Sequence, residues 1–385
     1  MKALRKILAI VMALALVFSL AACSGNSNDD ETTTAAPVGT TPIAKDAIKV
    51  GVLHITSIKD TSGYTFAHHQ GIVAMKNALG LRDDQVIEKD EIPDSDAPAV
   101  KAALDELVNA GCNIIFGTSF NYMDPMDEYA KKYPDVIFSH GTGYKSNDVN
   151  FNNYFGRIYQ ARYLSGIAAG MKAKEINNPN LGYVAAMDVT NSEVTGGINA
   201  FALGVQSVYP EAVVKVSVTG SWADEKAEAT ASKALVDAGC GVLAQHCDSS
   251  VPQTTAADNK IFGCGYNSDM TAQAPTAHIC APIWHWDVYY TTAVKEVIDG
   301  KWTPTNYFGG LNEGFIDVSP INEAVAAKGT KEAVEAAKAK IMSGELVVFA
   351  KGMTKADGTV VDHDLTDAEI TGEINYYIKG VELLK

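Results

Sequence analysis

Ten side chains carry most of the chemistry this chain offers. Six are rings (Tyr64, Phe66, Tyr122, Trp222, Trp284 and Trp286) and four are carboxyls (Asp124, Glu193, Asp248 and Asp269). Flat rings stack on both faces of a flat heteroaromatic ligand. Carboxyls accept hydrogen bonds from ring N–H groups or hydroxyls. This is the chemistry of capture. Signatures of turnover are thin: the sequence contains no GxGxxG, no phosphate-binding loop and no GxSxG nucleophile turn. His68 and His69 are adjacent, so on a helix they point in different directions and read as surface residues rather than a metal pair. Two of the four carboxyls could act as acid and base, as in a nucleoside hydrolase, but their spacing does not single out a pair.

The elements that must hold these residues alternate. An apolar strand over 48–53 precedes a helix over 66–79. A second helix over 97–109, with Val100, Leu104 and Leu107 at helical spacing, leads to a strand over 113–117. The pattern restarts with strands over 181–185, 213–218 and 242–245 and helices over 196–208 and 227–238. Strand–helix alternation predicts parallel sheets with helical crossovers. Two segments look like one unit used twice, each running from a helix through Ala-Gly-Cys (110–112 and 238–240) into an apolar strand. Two such lobes enclose a cleft, and ligands of parallel sheets sit beyond the carboxyl ends of the strands. The loops at 56–66, 118–124, 187–193, 219–224, 246–250 and 266–270 therefore carry the candidate residues. The tail from Asp357 onward reads as a turn and a final helix closing a lobe.

The N-terminus has its own purpose. Lys2, Arg5 and Lys6 precede an apolar run over 7–20 and then Leu20-Ala21-Ala22-Cys23. Residues 1–22 read as a secretory signal peptide. The Leu-Ala-Ala-Cys sequence resembles the bacterial lipobox, which implies a lipidated Cys23 as the mature N-terminus, with diacylation giving stable attachment. Residues 23–46 read as that lipidated end plus a flexible polar tether, and 47–385 as the folded domain. Removing three basic residues leaves 28 Lys and Arg against 46 Asp and Glu, a net of −18. Such acidity excludes nucleic acid as a partner. The remaining five cysteines are an odd number, a poor disulfide framework, and no metal-ligand spacing surrounds His246-Cys247.

Several stretches together resemble one family. They are residues 116–120 (FGTSF), 139–144 (SHGTGY), 163–169 (YLSGIAA), 197–204 (GINAFALG) and 309–311 (GGL), and they resemble the basic membrane protein family of substrate-binding lipoproteins. The resemblance implies an α/β, type I periplasmic-binding-protein fold. Two Rossmann-like lobes, about 47–160 plus a later return segment and about 175–285, would be joined by three crossovers around a hinge cleft. It implies a protein, not an enzyme, that stands on the outer face of the cell membrane. It would hand a purine nucleoside or nucleobase to an ABC permease and its ATPase, without metal or cofactor. Tyr64 and Trp222 match the positions that sandwich the base, Asp124 the base-recognising carboxylate, and Glu193 and Asp269 the ribose carboxylates. Thr65 and Trp284 depart from the nucleoside pattern, where the family has Asn and Lys, and favour a free base. A purine nucleoside-processing enzyme and a surface sensor are the rival readings.

Overall fold

Strands buried on both faces read as continuous apolar runs, because parallel sheets are covered by helices on both sides. Val50, Val52, Ile114, Ile115 and Phe116 are of this kind, and all are fully buried. The computed structural model describes residues 38–384. The signal segment, Cys23 and the start of the tether lie outside the described residues.

The first sheet contains β1 (Val50–Leu53), β2 (Val86–Lys89), β3 (Ile114–Gly117), β4 (Ile137–Gly141) and β5 (Phe151–Gly156). The second contains β6 (Asn180–Ala185), β7 (Val213–Val218), β8 (Val242–His246), β9 (Phe262–Cys264) and β10 (His278–Cys280). Then follow β11 (Pro282–Trp284), β12 (Tyr307–Gly309), β13 (Ile316–Val318) and β14 (Val381–Leu383). The helices are α1 (Gly63–Leu79), α2 (Ala97–Asn109), α3 (Met123–Lys132), α4 (Ile158–Glu175) and α5 (Ser192–Val208). They continue with α6 (Glu225–Asp237), α7 (Val251–Asp258), α8 (Trp286–Asp299), α9 (Thr330–Ser343) and α10 (Asp367–Gly372).

The five core strands have the same order in both sheets, and the sixth strand is added at opposite edges. The first runs β12-β5-β4-β3-β1-β2 and the second β10-β9-β8-β6-β7-β14, with parallel pairing throughout. The repeated Ala-Gly-Cys marks equivalent places. Gly111 and Gly239 both adopt φ +80 just after α2 and α6, a left-handed stop that suits glycine. The cysteine after each is buried beneath its helix.

The chain crosses between lobes three times: after β5 into α4, after β10 through β11 into α8, and after β12 into β13. Strands β11 and β13 pair antiparallel between the two lobes and form the hinge. The tail differs from the sequence reading. Its last element is the strand β14 on the edge of the second sheet, while the helix α10 comes earlier and is short. The tether also ends sooner than expected. Val38 and Ile43 pack on the core, Ile43 N–H donates to Ile298 O at 3.1 Å, and Trp302 N–H donates to Gly39 O at 3.2 Å. Two apolar side chains are enough to dock residues 38–46 beside α8.

Helix α4 is buried nearly all round, and it crosses α5 at two glycines. A Cβ on Gly166 would lie 2.1 Å from Phe201 O, and one on Gly204 2.0 Å from Tyr163 O. Among the described residues no helix is long and apolar enough to span a membrane.

Candidate functional site

The carboxyl ends of both sheets face each other across the cleft, and their loops line a pocket that is partly open to solvent. The first lobe supplies Ile55, Tyr64, Ser119, Phe120 and Thr142; the second supplies Glu193, Trp222, Asp248 and Tyr266. An outer chamber shares Phe120, Thr142, Glu193 and Trp222 with it and adds the neutral polar groups Asn153, Asn191, Ser192 and Asn306. The lobes touch at one side of the pocket. There Gly63 N–H donates to Ser268 Oγ at 3.0 Å, and Gln273 Nε2 donates to Thr61 O at 3.1 Å.

Each wall is held from behind. Tyr64 stands in the first turn of α1, and its hydroxyl donates to Thr118 O after β3. Its ring meets His68 edge-on with centroids 4.4 Å apart. Trp222 leans edge-on against His246 at 5.8 Å. Its carbonyl accepts the Asp248 N–H at 2.8 Å, which ties the loop after β7 to the loop after β8. Gln245 supports that second loop from within β8, donating to Cys247 O at 3.1 Å and Ser249 O at 2.6 Å. Asn267 Nδ2 donates to Asp248 Oδ1 at 3.0 Å and orients the carboxyl. Glu193 sits in the first turn of α5, whose cap is Asn191 accepting from Val194 N–H at 3.0 Å. His246 Nε2 stands 3.5 Å from Glu193 Oε1.

Four residues of the sequence reading therefore meet at the pocket: Tyr64, Glu193, Trp222 and Asp248. Six do not. After β3 a 3-10 turn over Phe120–Tyr122 redirects the chain, so that Phe120 faces the cleft. Tyr122 drops into the core with its hydroxyl on Ile92 O, and Asp124 emerges on the surface, paired with Lys145 at 2.7 Å. Asp269 caps Thr271 and lies 3.5 Å from His278, turned from the pocket. Phe66 is half-buried on α1 and lies outside the pocket wall. Trp284 and Trp286 are buried at the hinge, stacked on each other at 4.5 Å. Trp286 also stacks on His68 at 4.0 Å, so His68 is core rather than surface; His69 pairs with Glu88 at 2.9 Å. Hydrophobic stacking inside the hinge wins over exposure for these rings.

Phe120 and Tyr266 stand on loops the sequence picked out but were not among the ten candidates, and Arg162 was missed altogether. Phe120 is 44% exposed, a large ring open to the cleft. Arg162 is buried in α4 with its guanidinium 3.7 Å from the Tyr266 ring centroid, and Nη1 donates to Tyr183 Oη at 2.9 Å. Its Nε and Nη2 have no hydrogen-bond partner among the described residues. It is the only charged residue in the first three turns of this mostly apolar stretch, a signal present in the sequence.

Burial lifts Glu193 to about 7 and Asp248 to about 8, while the nearby Arg162 pulls both downward. Both folded values lie above those of the unfolded chain, about 4. Each group's stabilising share is complete below that unfolded value and is lost as pH rises through about 7 and about 8. In thermal melts between pH 6 and pH 9, the ligand-free domain loses stability as the pH rises, and the Glu193→Gln/Asp248→Asn double variant loses less. Parallel curves for the two proteins would refute this assignment. Among the described residues, no group of three or more His, Cys, Asp or Glu side chains could hold a metal ion.

The comparisons with known proteins agree with this geometry. Residues 47–351 match the family described as Bmp, ABC transporter substrate-binding protein PnrA-like. The chain is 36% identical over 342 residues to a purine-binding protein of Brucella abortus, covering 88% of this chain and 94% of that one. It is 32% identical over 359 residues to a putative ABC transporter glucose-binding protein of Haloferax volcanii, covering 93% and 86%. An ABC transporter solute-binding protein from Conexibacter woesei superposes with a TM-score of 0.64 at 19% identity, covering 78% and 98%, and shares the fold. The two-lobe architecture is that of the type I periplasmic binding proteins, and the chain belongs to the PnrA-like family of ABC transporter substrate-binding proteins.

Proposed function

We propose that this protein captures a purine base of the adenine type between its lobes and presents it, from a lipid anchor at Cys23, to an ABC permease. The observation that carries the reading is the pocket wall. Tyr64, Phe120, Trp222 and Tyr266 line one pocket together with the carboxyls of Glu193 and Asp248. Rings on both lobes suit a flat ligand that is stacked when the lobes close. A carboxyl held neutral offers one donor and one acceptor. That pair complements the N7 acceptor and 6-amino donor of adenine. The similarity to a purine-binding relative supports the same ligand class. Binding without turnover follows the character of the family, and Cys23 at the end of a lipobox-like sequence supplies the anchor.

The test is calorimetric titration of the domain, refolded to remove carried-over ligand, with adenine, guanine, adenosine and glucose. Adenine is expected to bind tightest. Trp222→Ala is expected to weaken it by about 10- to 100-fold, the worth of one stacked ring. A preference for adenosine would move the ligand to nucleosides and assign the outer chamber to the sugar. Binding of glucose alone would sink the purine reading, and release of base from adenosine would mark an enzyme. Labelled fatty acid should enter the full chain and be lost in Cys23→Ala.

A further inference from the structure

Cys264 and Cys280 are register partners at the ends of the neighbouring parallel strands β9 and β10. Partners in register project to the same side of a sheet. Their sulfur atoms lie 4.0 Å apart, and both side chains are buried in one core cluster. The other three cysteines of the domain are placed elsewhere. Cys112 packs under α2 in the first lobe, and Cys240 and Cys247 lie in a separate cluster of the second. The contact is therefore particular to one pair.

We infer that Cys264 and Cys280 form a disulfide in the protein as it works outside the cytoplasm. Neighbouring strands run about 4.8 Å apart, within the Cα separation that a disulfide spans. The register shifts between His278 and Cys280, and this irregularity gives the backbone slack beside the pair. Bringing the sulfurs into bonding distance is then a matter of side-chain rotation. Among the described residues no charged side chain is hydrogen-bonded to either sulfur; besides the Cys280 thiol, Cys264 Sγ contacts Ser165 O at 3.7 Å. The neighbouring Cys264 thiol, and then burial, raise Cys280 well above the ordinary thiol range, so the folded thiol is a poor nucleophile. The bond must form while the strands are still assembling. A thiolate of one cysteine attacks a small disulfide such as oxidised glutathione and releases one glutathione. The second cysteine then displaces the other glutathione. Two protein thiols and one glutathione disulfide become one protein disulfide and two glutathione thiols.

The position gives the bond a use. β9 runs directly into Tyr266, Asn267 and Ser268, which form the pocket floor, the Asp248 support and the interlobe contact. β10 runs directly into the hinge strand β11. A bond between them ties the pocket floor to the hinge and closes the loop that contains all three residues.

The experiment refolds the domain that follows Cys23 in a glutathione redox buffer, alkylates it under denaturing conditions without reductant, and maps its peptides. The reduced domain has five thiols. Three should remain, with one cross-linked peptide pair joining Cys264 to Cys280. Oxidation should raise the melting temperature by about 5 °C, and this gain should be absent in Cys280→Ser. Alkylation of all five thiols after refolding, or a cross-link between any other pair, would overturn the inference. Should Cys280→Ser fail to fold, Cys264→Ala serves as the same control, and the peptide map decides the question without either variant.

Discussion

Replacing Gly63 by alanine will weaken ligand binding by about 100-fold and leave the ligand-free domain folded. Gly63 opens α1 with φ +88, and a Cβ there would lie 2.0 Å from the carbonyl oxygen of Asp248 on the other lobe. Backbone oxygen cannot yield as the tip of a flexible side chain can. The methyl group would therefore hold the lobes apart, lengthen the Gly63 N–H to Ser268 Oγ bond, and pull Tyr64 away from Trp222. The affinity a ligand shows is its affinity for the closed state multiplied by the fraction closed. Alanine at positive φ also carries strain, about 1–2 kcal/mol, in the open form. Gly111→Ala is the control: its φ is +80, but nothing lies within 4 Å of the added carbon. Both variants should lose a similar amount of stability, and only Gly63→Ala should lose affinity and fail to contract with ligand in small-angle scattering. Equal affinities for the two variants would show that closure does not pass through this contact.

Gly204→Val should prevent the domain from reaching its native packing. The two glycines at the α4–α5 crossing let the helix backbones touch, with Gly166 Cα only 3.1 Å from where a Cβ on Gly204 would lie. Valine must push the helices apart, and core overpacking against rigid backbone costs more than ~3 kcal/mol when no side chain can move aside. α4 carries Arg162 and α5 carries Glu193, so the shift also disperses the polar side of the pocket. The expected observation is a melting temperature lowered by about 10 °C or more, or loss of cooperative unfolding altogether. Gly196→Ala on the same helix is the contrast. Its nearest neighbour would be Ile370 O at 3.4 Å, an ordinary contact, so the better helix former should be neutral or slightly stabilising. A Gly204→Val melt matching wild type would disprove the tight crossing.

Local signals were readable where they were complete. α2 spans the residues expected of it because Asp96 caps it, proline occupies its first turn, and Gly111 stops it. The start of α1 was read three residues late, since Gly63-Tyr64-Thr65 has loop composition and the reason for the glycine lies on the opposite lobe. β14 is three residues long, too short for periodicity, and only its pairing with β7 makes it a strand. The site divides in the same way. Which loops meet followed from strand–helix alternation, and Tyr64, Trp222, Glu193 and Asp248 were found by it. Which residue of a loop faces inward depends on its turns. The turn at Phe120–Tyr122 exchanged Tyr122 and Asp124 for Phe120. The hinge rings Trp284 and Trp286 looked like ligand rings because their type is the same in either role.

The late arrival of β12 and β14 has a consequence for the order of synthesis. Five strands of the first sheet are complete by residue 156, yet its edge beside β5 stays open until Tyr307–Gly309 is made. The second sheet waits longer, since the strand that covers β7 is Val381–Leu383. The first sheet is sealed only after β6 to β10 of the second have been made, and the second only after the first is closed. Each lobe is thus closed by a strand made after the chain has visited the other, so the two halves must complete their folding together rather than one after the other.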